Sequence, residues 1–244
     1  MRVAALYDVH GNVPALEAVL GEVELENPDA IVFGGDIASG PFPREAIELV
    51  RSLSGARFVR GNADRFELPA PDPEAEAAVR WVREQLDDEA VAWLAALPET
   101  VTLELDGLGP TLFCHATPRS DLEIVTEATP DEKLFELIDG VSEGVIVSGH
   151  THMQLDRRVD GVRWVNAGSI GMPYEGKVAA FWALLGPDVE LRRTPIDVKR
   201  TAAAILESGW PRAEGFVEEN VRTAVGREEV VPLFERMARE RGER

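Results

Sequence analysis

Apolar residues in the first quarter of the chain fall in short runs that stop at polar or turn-forming pairs. Arg2 to Tyr7 is suited to a buried strand and ends at Asp8. After a break at Gly11-Asn12, Val13, Leu16, Val19, Leu20 and Val23 recur at three- and four-residue spacing, with Glu17, Glu22 and Glu24 mostly opposite them. That spacing predicts an amphipathic helix. Asn12 is placed to cap it, and Pro14 is tolerated in a first turn. Ala30 to Phe33 predicts a second strand closed by Gly34-Gly35-Asp36, Pro43 to Leu53 a second helix, and Arg57 to Arg60 a third strand closed by Gly61-Asn62. Strand, polar end, helix, strand is the pattern of parallel βαβ units, whose chemistry gathers at the carboxyl ends of the strands.

The pattern changes between about residues 66 and 98. Pro-rich punctuation from Pro69 is followed by two helical stretches, one carrying Val79, Val82 and Leu86, the other Val91, Leu94 and Leu97. A helical insertion is expected there. Strands then dominate: Val101 to Leu105, Thr111 to His115, Val145 to Ser148, Leu155 to Val159, Val162 to Val165 and Val178 to Leu185. Asp106-Gly107 and Asp160-Gly161 read as hairpin turns. A helical segment over about 197–241 follows, with Asp197 as cap and Gly209 as stop. No repeat or linker divides the chain, so one α/β domain over 1–244 is expected.

The 25 basic and 44 acidic residues leave a net charge of −19. Such a surface repels membranes and nucleic-acid backbones and disfavours both as partners. The five tryptophans show no base-stacking spacing, and packing accounts for them. Cys114, the single cysteine, excludes an intramolecular disulfide and a cysteine metal cluster, and reads as a small buried residue. The longest apolar stretch, Val178 to Leu185, is far too short to span a membrane. With no apolar signal core before Asp8, a cytoplasmic location is expected.

Against this background the four histidines stand out. His115 closes one apolar run and His150-Thr151-His152 another, while Asp8-Val9-His10, Asp36 and Asn62 close the first three strands. Seven oxygen or imidazole ligands thus lie at five strand ends. Each motif alone reads as a satisfied turn, and the glycines beside them as tight-turn residues. Together they suit a pair of divalent cations, because mixed imidazole and carboxylate ligands favour Zn, Mn, Fe, Ni or Co over Ca.

Asp8-Val9-His10-Gly11-Asn12, Gly35-Asp36, Gly61-Asn62, His115 and Gly149-His150-Thr151-His152 stand in the order found in the calcineurin-like metallophosphoesterase superfamily. The chain resembles its small bacterial and archaeal phosphodiesterase branch, and Asn166-Ala167-Gly168-Ser169 is similar to a later family turn. The resemblance implies a four-layer αββα sandwich of two mixed sheets with the site at one edge. It implies two divalent ions, manganese first. Asp8, His10, Asp36 and His152 would hold one, and Asp36, Asn62, His115 and His150 the other, with Asp36 bridging. It further implies in-line attack on a small phosphate ester by a hydroxide between the ions, with Asp36, Asn62 and His115 as the catalytic set and no phosphoenzyme.

Many relatives carry a histidine after Gly-Asn that serves the phosphate or the leaving group; here that position is Ala63, and no histidine is spare. General acid catalysis is worth about 10²–10⁴-fold, so its loss favours diesters or activated esters. Asp64 would need a raised pKa to substitute, and a carboxylate beside two cations is expected to be depressed. Arg60, Arg65 and, more weakly, Arg119 are candidates for the substrate phosphate, with surface ion pairs as the competing reading. Tyr174 is a candidate pocket residue. A phosphomonoesterase, a dinucleoside-polyphosphate hydrolase and a non-enzymatic metal-binding scaffold are the alternatives on the same ligand set. The helical insertion is a candidate roof for the site.

Overall fold

The computed structural model describes residues 1–67 and 72–243. The Pro-rich opening of the insertion at Pro69 lies outside the described residues. β1 (Val3–Leu6), β2 (Ala30–Phe33) and β3 (Arg57–Phe58) pair in parallel, with Val3 opposite Ala30 and Val32 opposite Arg57. α1 (Val13–Glu26) and α2 (Pro43–Ser52) make the crossovers, as the βαβ pattern predicts. Asn12 Oδ1 accepts the Ala15 N–H at 3.3 Å, so the cap also falls where expected. Leu16, Val19 and Val23 are buried while Glu17 and Glu24 face solvent.

The second sheet runs in the order β4 (Thr100–Leu105), β5 (Gly109–Cys114), β6 (Val145–Ser148), β8 (Val162–Asn166), β7 (Leu155–Val159). Both Asp-Gly turns close antiparallel hairpins, β4–β5 and β7–β8, whereas β5, β6 and β8 are mutually parallel. β9 (Ala180–Leu185) then returns to the first sheet and pairs antiparallel with β1, and β10 (Val189–Thr194) lies outside it. The apolar run predicting β9 is continuous because all six of its residues are buried. β10 was not predicted, since Glu190, Arg192 and Arg193 give an edge strand little apolar signal.

Strand alternation divides the core. Val3, Ala5 and Tyr7 point between the sheets towards Phe113, Val147 and Val165, while Ala4 and Leu6 face the helices. α5 (Asp131–Ile138) was also not predicted; it covers the outer face of the second sheet with Leu134 and Leu137 against Ile146 and Trp164. Helix, sheet, sheet and helix layers result, the expected sandwich of two mixed five-stranded sheets.

The insertion forms α3 (Pro73–Gln85) and α4 (Asp88–Ala95). Ala78, Val82, Leu86 and Leu94 join the outer core of the first sheet. The C-terminal segment adds α6 (Val198–Glu207), α7 (Ala213–Val217), a π-helical turn (Glu218–Arg222) and α8 (Arg227–Glu240). Asp197 caps α6 by accepting the Arg200 N–H at 3.0 Å, and Gly209 follows its end in the left-handed region. Trp210, Phe216 and Val217 pack into the same outer core as the insertion. Among the described residues no helix is long and apolar enough to cross a membrane.

Candidate metal centre

All seven predicted ligands converge at one edge of the sandwich, where the carboxyl ends of β1, β2, β3, β5 and β6 meet. The turns that bring them together are strained. Eight described non-glycine residues have φ between +46° and +65°, and five are Asp8, His10, Asp36, His150 and His152. Left-handed backbone costs on the order of 1–3 kcal/mol per such residue and persists where the surroundings over-determine it. Here they do. His10 N–H donates to Asp36 O at 2.8 Å, Gly11 N–H to Ile37 O at 2.9 Å, and Gly149 N–H to His115 O at 2.8 Å. The Gly168-Ser169 turn straps the end of β1: Ser169 Oγ and Gly171 N each donate to Asp8 O at 2.9 Å. Gly61 lets backbone approach the Asp36 carboxylate so closely that a Cβ there would overlap it.

Asp8 is fully buried; its Oδ2 accepts the His150 N–H at 2.9 Å. Its Oδ1 has no hydrogen-bond partner and lies 3.5 Å from His152 Nε2 and 3.9 Å from His115 Nε2. Asp36 Oδ2 lies 3.7 Å from His10 Nε2 and 3.5 Å from His115 Nε2, between the two halves of the cluster. Ligand atoms of Asp8, His10 and His152 fall within 4.8 Å of one another, as do those of Asp8, Asp36 and His115.

The donor set fits cations. Nδ1 of His10, His115 and His152 faces the carbonyls of Ser39 (3.3 Å), Gly34 (2.8 Å) and Met172 (2.8 Å). A carbonyl only accepts, so each Nδ1 carries a proton and each ring turns its Nε2 inward, the usual arrangement of metal-binding histidines. His10 Nε2 and His152 Nε2 then face each other at 3.1 Å, which calls for a cation or a proton between them. Asn62 Oδ1 lies 3.0 Å from His115 Nε2; the rotated amide would instead donate to His150 Nδ1 at 2.9 Å. A cation shared with His115 and His150 is what would hold the oxygen inward.

Among protein charges alone the carboxylates stay ionised. Burial pushes Asp8 and Asp36 up, but the neighbouring imidazoles outweigh it and hold both below the usual carboxylate range. Burial pushes His115 down, yet Asp36 and Asp8 prevail and raise it to about 10. Burial and the His115 charge press His150 down to about 3.

Among protein charges alone, burial and the Asp36 charge raise Asp64 to about 6. Its carboxylate nevertheless accepts the N–H groups of Asp36 (2.9 Å), Ile37 (2.9 Å) and Gly61 (3.0 Å), tying two ligand turns together. It is a positioning residue.

Two cavities flank the cluster. One, of about 190 Å³, is lined by His10 together with Ala78 and Val79 of α3 and Trp210, Phe216 and Asn220 of the C-terminal segment. The other, of about 250 Å³, is lined by His115, Arg65, Arg119, Thr117 and Asp121. The insertion therefore walls one side of the site. Arg65 sits within 3.3 Å of both Glu67 and Asp121, and Arg119 is paired to Glu123 at 2.7 Å, so acidic partners balance the charge of both. Arg60 lines neither cavity; it binds Glu99 at 2.9 Å and the Ala95 carbonyl at 3.3 Å. Tyr174 stacks on His152 with ring centroids 5.1 Å apart and 22° between planes, so it orients a ligand. Nothing in the sequence placed Trp210 and Asn220 on this cavity, because their position depends on where the C-terminal segment docks.

Residues 1–185 match the model of the calcineurin-like phosphoesterase superfamily domain. The chain is 26% identical over 235 residues to an uncharacterized protein of Methanocaldococcus jannaschii, covering 86% of this chain and 93% of that protein. Its structure is similar to that of a metallophosphoesterase from Sphaerobacter thermophilus, at 30% identity and a TM-score of 0.73, covering 89% of this chain and 97% of the other. A hypothetical protein from Pyrococcus horikoshii shares the fold at 24% identity and a TM-score of 0.78, covering 89% and 96%.

Proposed function

Because this chain belongs to the calcineurin-like phosphoesterase superfamily, we propose that it is a phosphodiesterase that hydrolyses a small phosphate diester with two divalent cations, manganese first. Asp8, His10 and His152 would hold one cation and Asn62, His115 and His150 the other, with Asp36 shared. Such ions supply Lewis acidity and acidified water at neutral pH.

The observation that carries the diester reading is the pair of cavities. His10 lines one and His115 the other, while Asp36 lies between those two imidazoles. A phosphorus held over Asp36 has room for a substituent on either side, and a monoester would leave one side unused. Ala63 agrees with this, since it has no proton to give a poor leaving group. Asp64 is directed to three backbone N–H groups and does not take over. The carbonyls of Ser39, Gly34 and Met172 hold the imidazoles in the tautomer that keeps their Nε2 atoms free for ligation.

The test is hydrolysis of bis(p-nitrophenyl) phosphate and p-nitrophenyl phosphate by metal-stripped protein, with and without Mn²⁺, beside Asp36→Asn. Mn²⁺-dependent turnover that favours the diester and disappears in the variant is expected. Strong preference for the monoester would overturn the diester reading.

A further inference from the structure

Resting on the two-cation part of that reading, we propose that Arg227, at the start of α8, is a positioning residue for the cation held with His152. It acts through Glu175 on the segment that fixes the His152 ring. Residues 1–185 carry the superfamily match, and α8 lies beyond them. Among the described residues, every other α-helix contributes to the apolar cores of the two sheets, whereas Val230 and Ala238 of α8 are buried outside those cores. α8 is tied instead to the two segments that flank the His150-Thr151-His152 turn.

Met172 and Tyr174 hold His152 directly. The Met172 carbonyl accepts from His152 Nδ1 at 2.8 Å, Tyr174 N–H donates to the His152 carbonyl at 3.2 Å, and the Tyr174 ring stacks on the imidazole. Glu175, the next residue, is gripped from α8: Arg227 Nε donates to its Oε2 at 3.0 Å and Nη2 to its Oε1 at 2.6 Å. Nη2 also donates to the Gln154 carbonyl, and Glu175 Oε1 accepts the Gln154 N–H, so the chain just after His152 is closed against Glu175. Nη1 reaches Glu127 at 2.9 Å. Further along α8, Phe234 meets the Tyr174 ring with centroids 6.3 Å apart, and Glu235 accepts the buried Thr126 hydroxyl at 2.6 Å. The adjacent Val125 carbonyl accepts from Thr151 Oγ1 at 3.1 Å.

The consequence is electrostatic. An exposed ion pair would matter little, but the Glu175 side chain is only 11% exposed. A charge withdrawn from water and then deprived of its partner is strongly unfavourable. Glu175 can escape that state only by swinging out to water, and its neighbours move with it, because residues 171–179 form neither helix nor strand. That movement takes Tyr174 and the Met172 carbonyl away from His152. Partners of a ligating histidine's second nitrogen are worth about 10–100-fold in metal affinity. Arg227 stands further out than Met172, so the low end of that range applies. His115 leans on the Gly34 carbonyl instead, which spares the other cation.

Calorimetric titration of Mn²⁺ into the full-length, metal-stripped protein tests this. Arg227→Gln should raise the Kd of the ion that His10→Ala removes by about tenfold and leave the other within about twofold. Adding Glu175→Gln to Arg227→Gln takes away the unpaired carboxylate and should recover about threefold or more of the lost affinity, which a merely looser α8 would not give. Should Arg227→Gln fail to fold, Arg227→Lys keeps the charge without the planar fork and should raise that Kd by about threefold. Equal weakening of both ions, no change in either, or no recovery in the double variant overturns the role of Arg227 and leaves the two-cation reading. A single ion in the wild-type protein, removed by His10→Ala and weakened by Arg227→Gln, overturns the two-cation reading and supports Arg227. Absence of Mn²⁺ binding overturns both.

Discussion

Asp8→Asn removes one charge and almost no volume from the middle of the ligand cluster. The carboxylate does two jobs with two oxygens: Oδ2 accepts the His150 N–H, and Oδ1 points at His152 and His115 Nε2 without a hydrogen bond of its own. Asparagine can do only one. If its oxygen keeps the His150 bond, an NH₂ faces the imidazoles and a metal ligand is gone. If the amide is reversed, two donors meet at His150, and a buried bond worth about 1–3 kcal/mol is unmade. The lost charge adds to this. A unit pair about 4 Å apart in a medium of effective dielectric about 20 interacts by roughly 4 kcal/mol. A divalent ion raises that figure, and water entering the loosened site takes part of it back. A net loss of about 3–4 kcal/mol, or roughly 10²–10³-fold in Kd, is expected for the ion held with His10 and His152. Calorimetric titration of Mn²⁺ into metal-stripped protein reads both sites separately, with thermal denaturation to confirm folding. Two binding events with Kd values within threefold of the wild type would refute the assignment of Asp8.

Three further outcomes follow from the same geometry. Gly61→Ala drives a Cβ into the Asp36 carboxylate and should cost about 1–3 kcal/mol of stability and one ion per chain by elemental analysis; two retained ions would contradict the close approach. Tyr7→Phe deletes the buried bond from Tyr7 Oη to the Val147 carbonyl (2.9 Å), which joins the two sheets beneath the site. Denaturant unfolding should show a loss of about 0.5–1.5 kcal/mol, and an unchanged midpoint would dispute it. Gly21→Ala, within α1 with no atom within 4 Å of the added Cβ, should stabilise the protein by about 0.5–1 kcal/mol and raise Tm; a fall in Tm would show that the helix is constrained there.

The candidate site was more legible in the sequence than the pocket around it. Asp8, His10, Asp36, Asn62, His115, His150 and His152 each follow a strand, and in a sheet with parallel strands their ends share one edge. The spacing of Leu16, Val19 and Val23, the Asn12 cap and both Asp-Gly hairpins were equally readable, because periodicity and turn chemistry act within a few residues. The polar edge strand β10 and the eight-residue helix α5 escaped, since neither carries a long apolar pattern.

What the chain by itself determined is therefore its local elements and the chemical identity of the candidate ligands. Tertiary structure decided the rest. It placed β9 beside β1 rather than in the second sheet, and left-handed turns at five ligands turned their side chains to one point. It set carboxylates against Arg65 and Arg119 and turned Arg60 away from both cavities. It also carried Ala78 and Val79 across to face Trp210 and Asn220, well over a hundred residues later. Backbone propensity and alternation are settled between near neighbours. A cavity wall is settled by which apolar surfaces bury one another, and that depends on the whole chain at once.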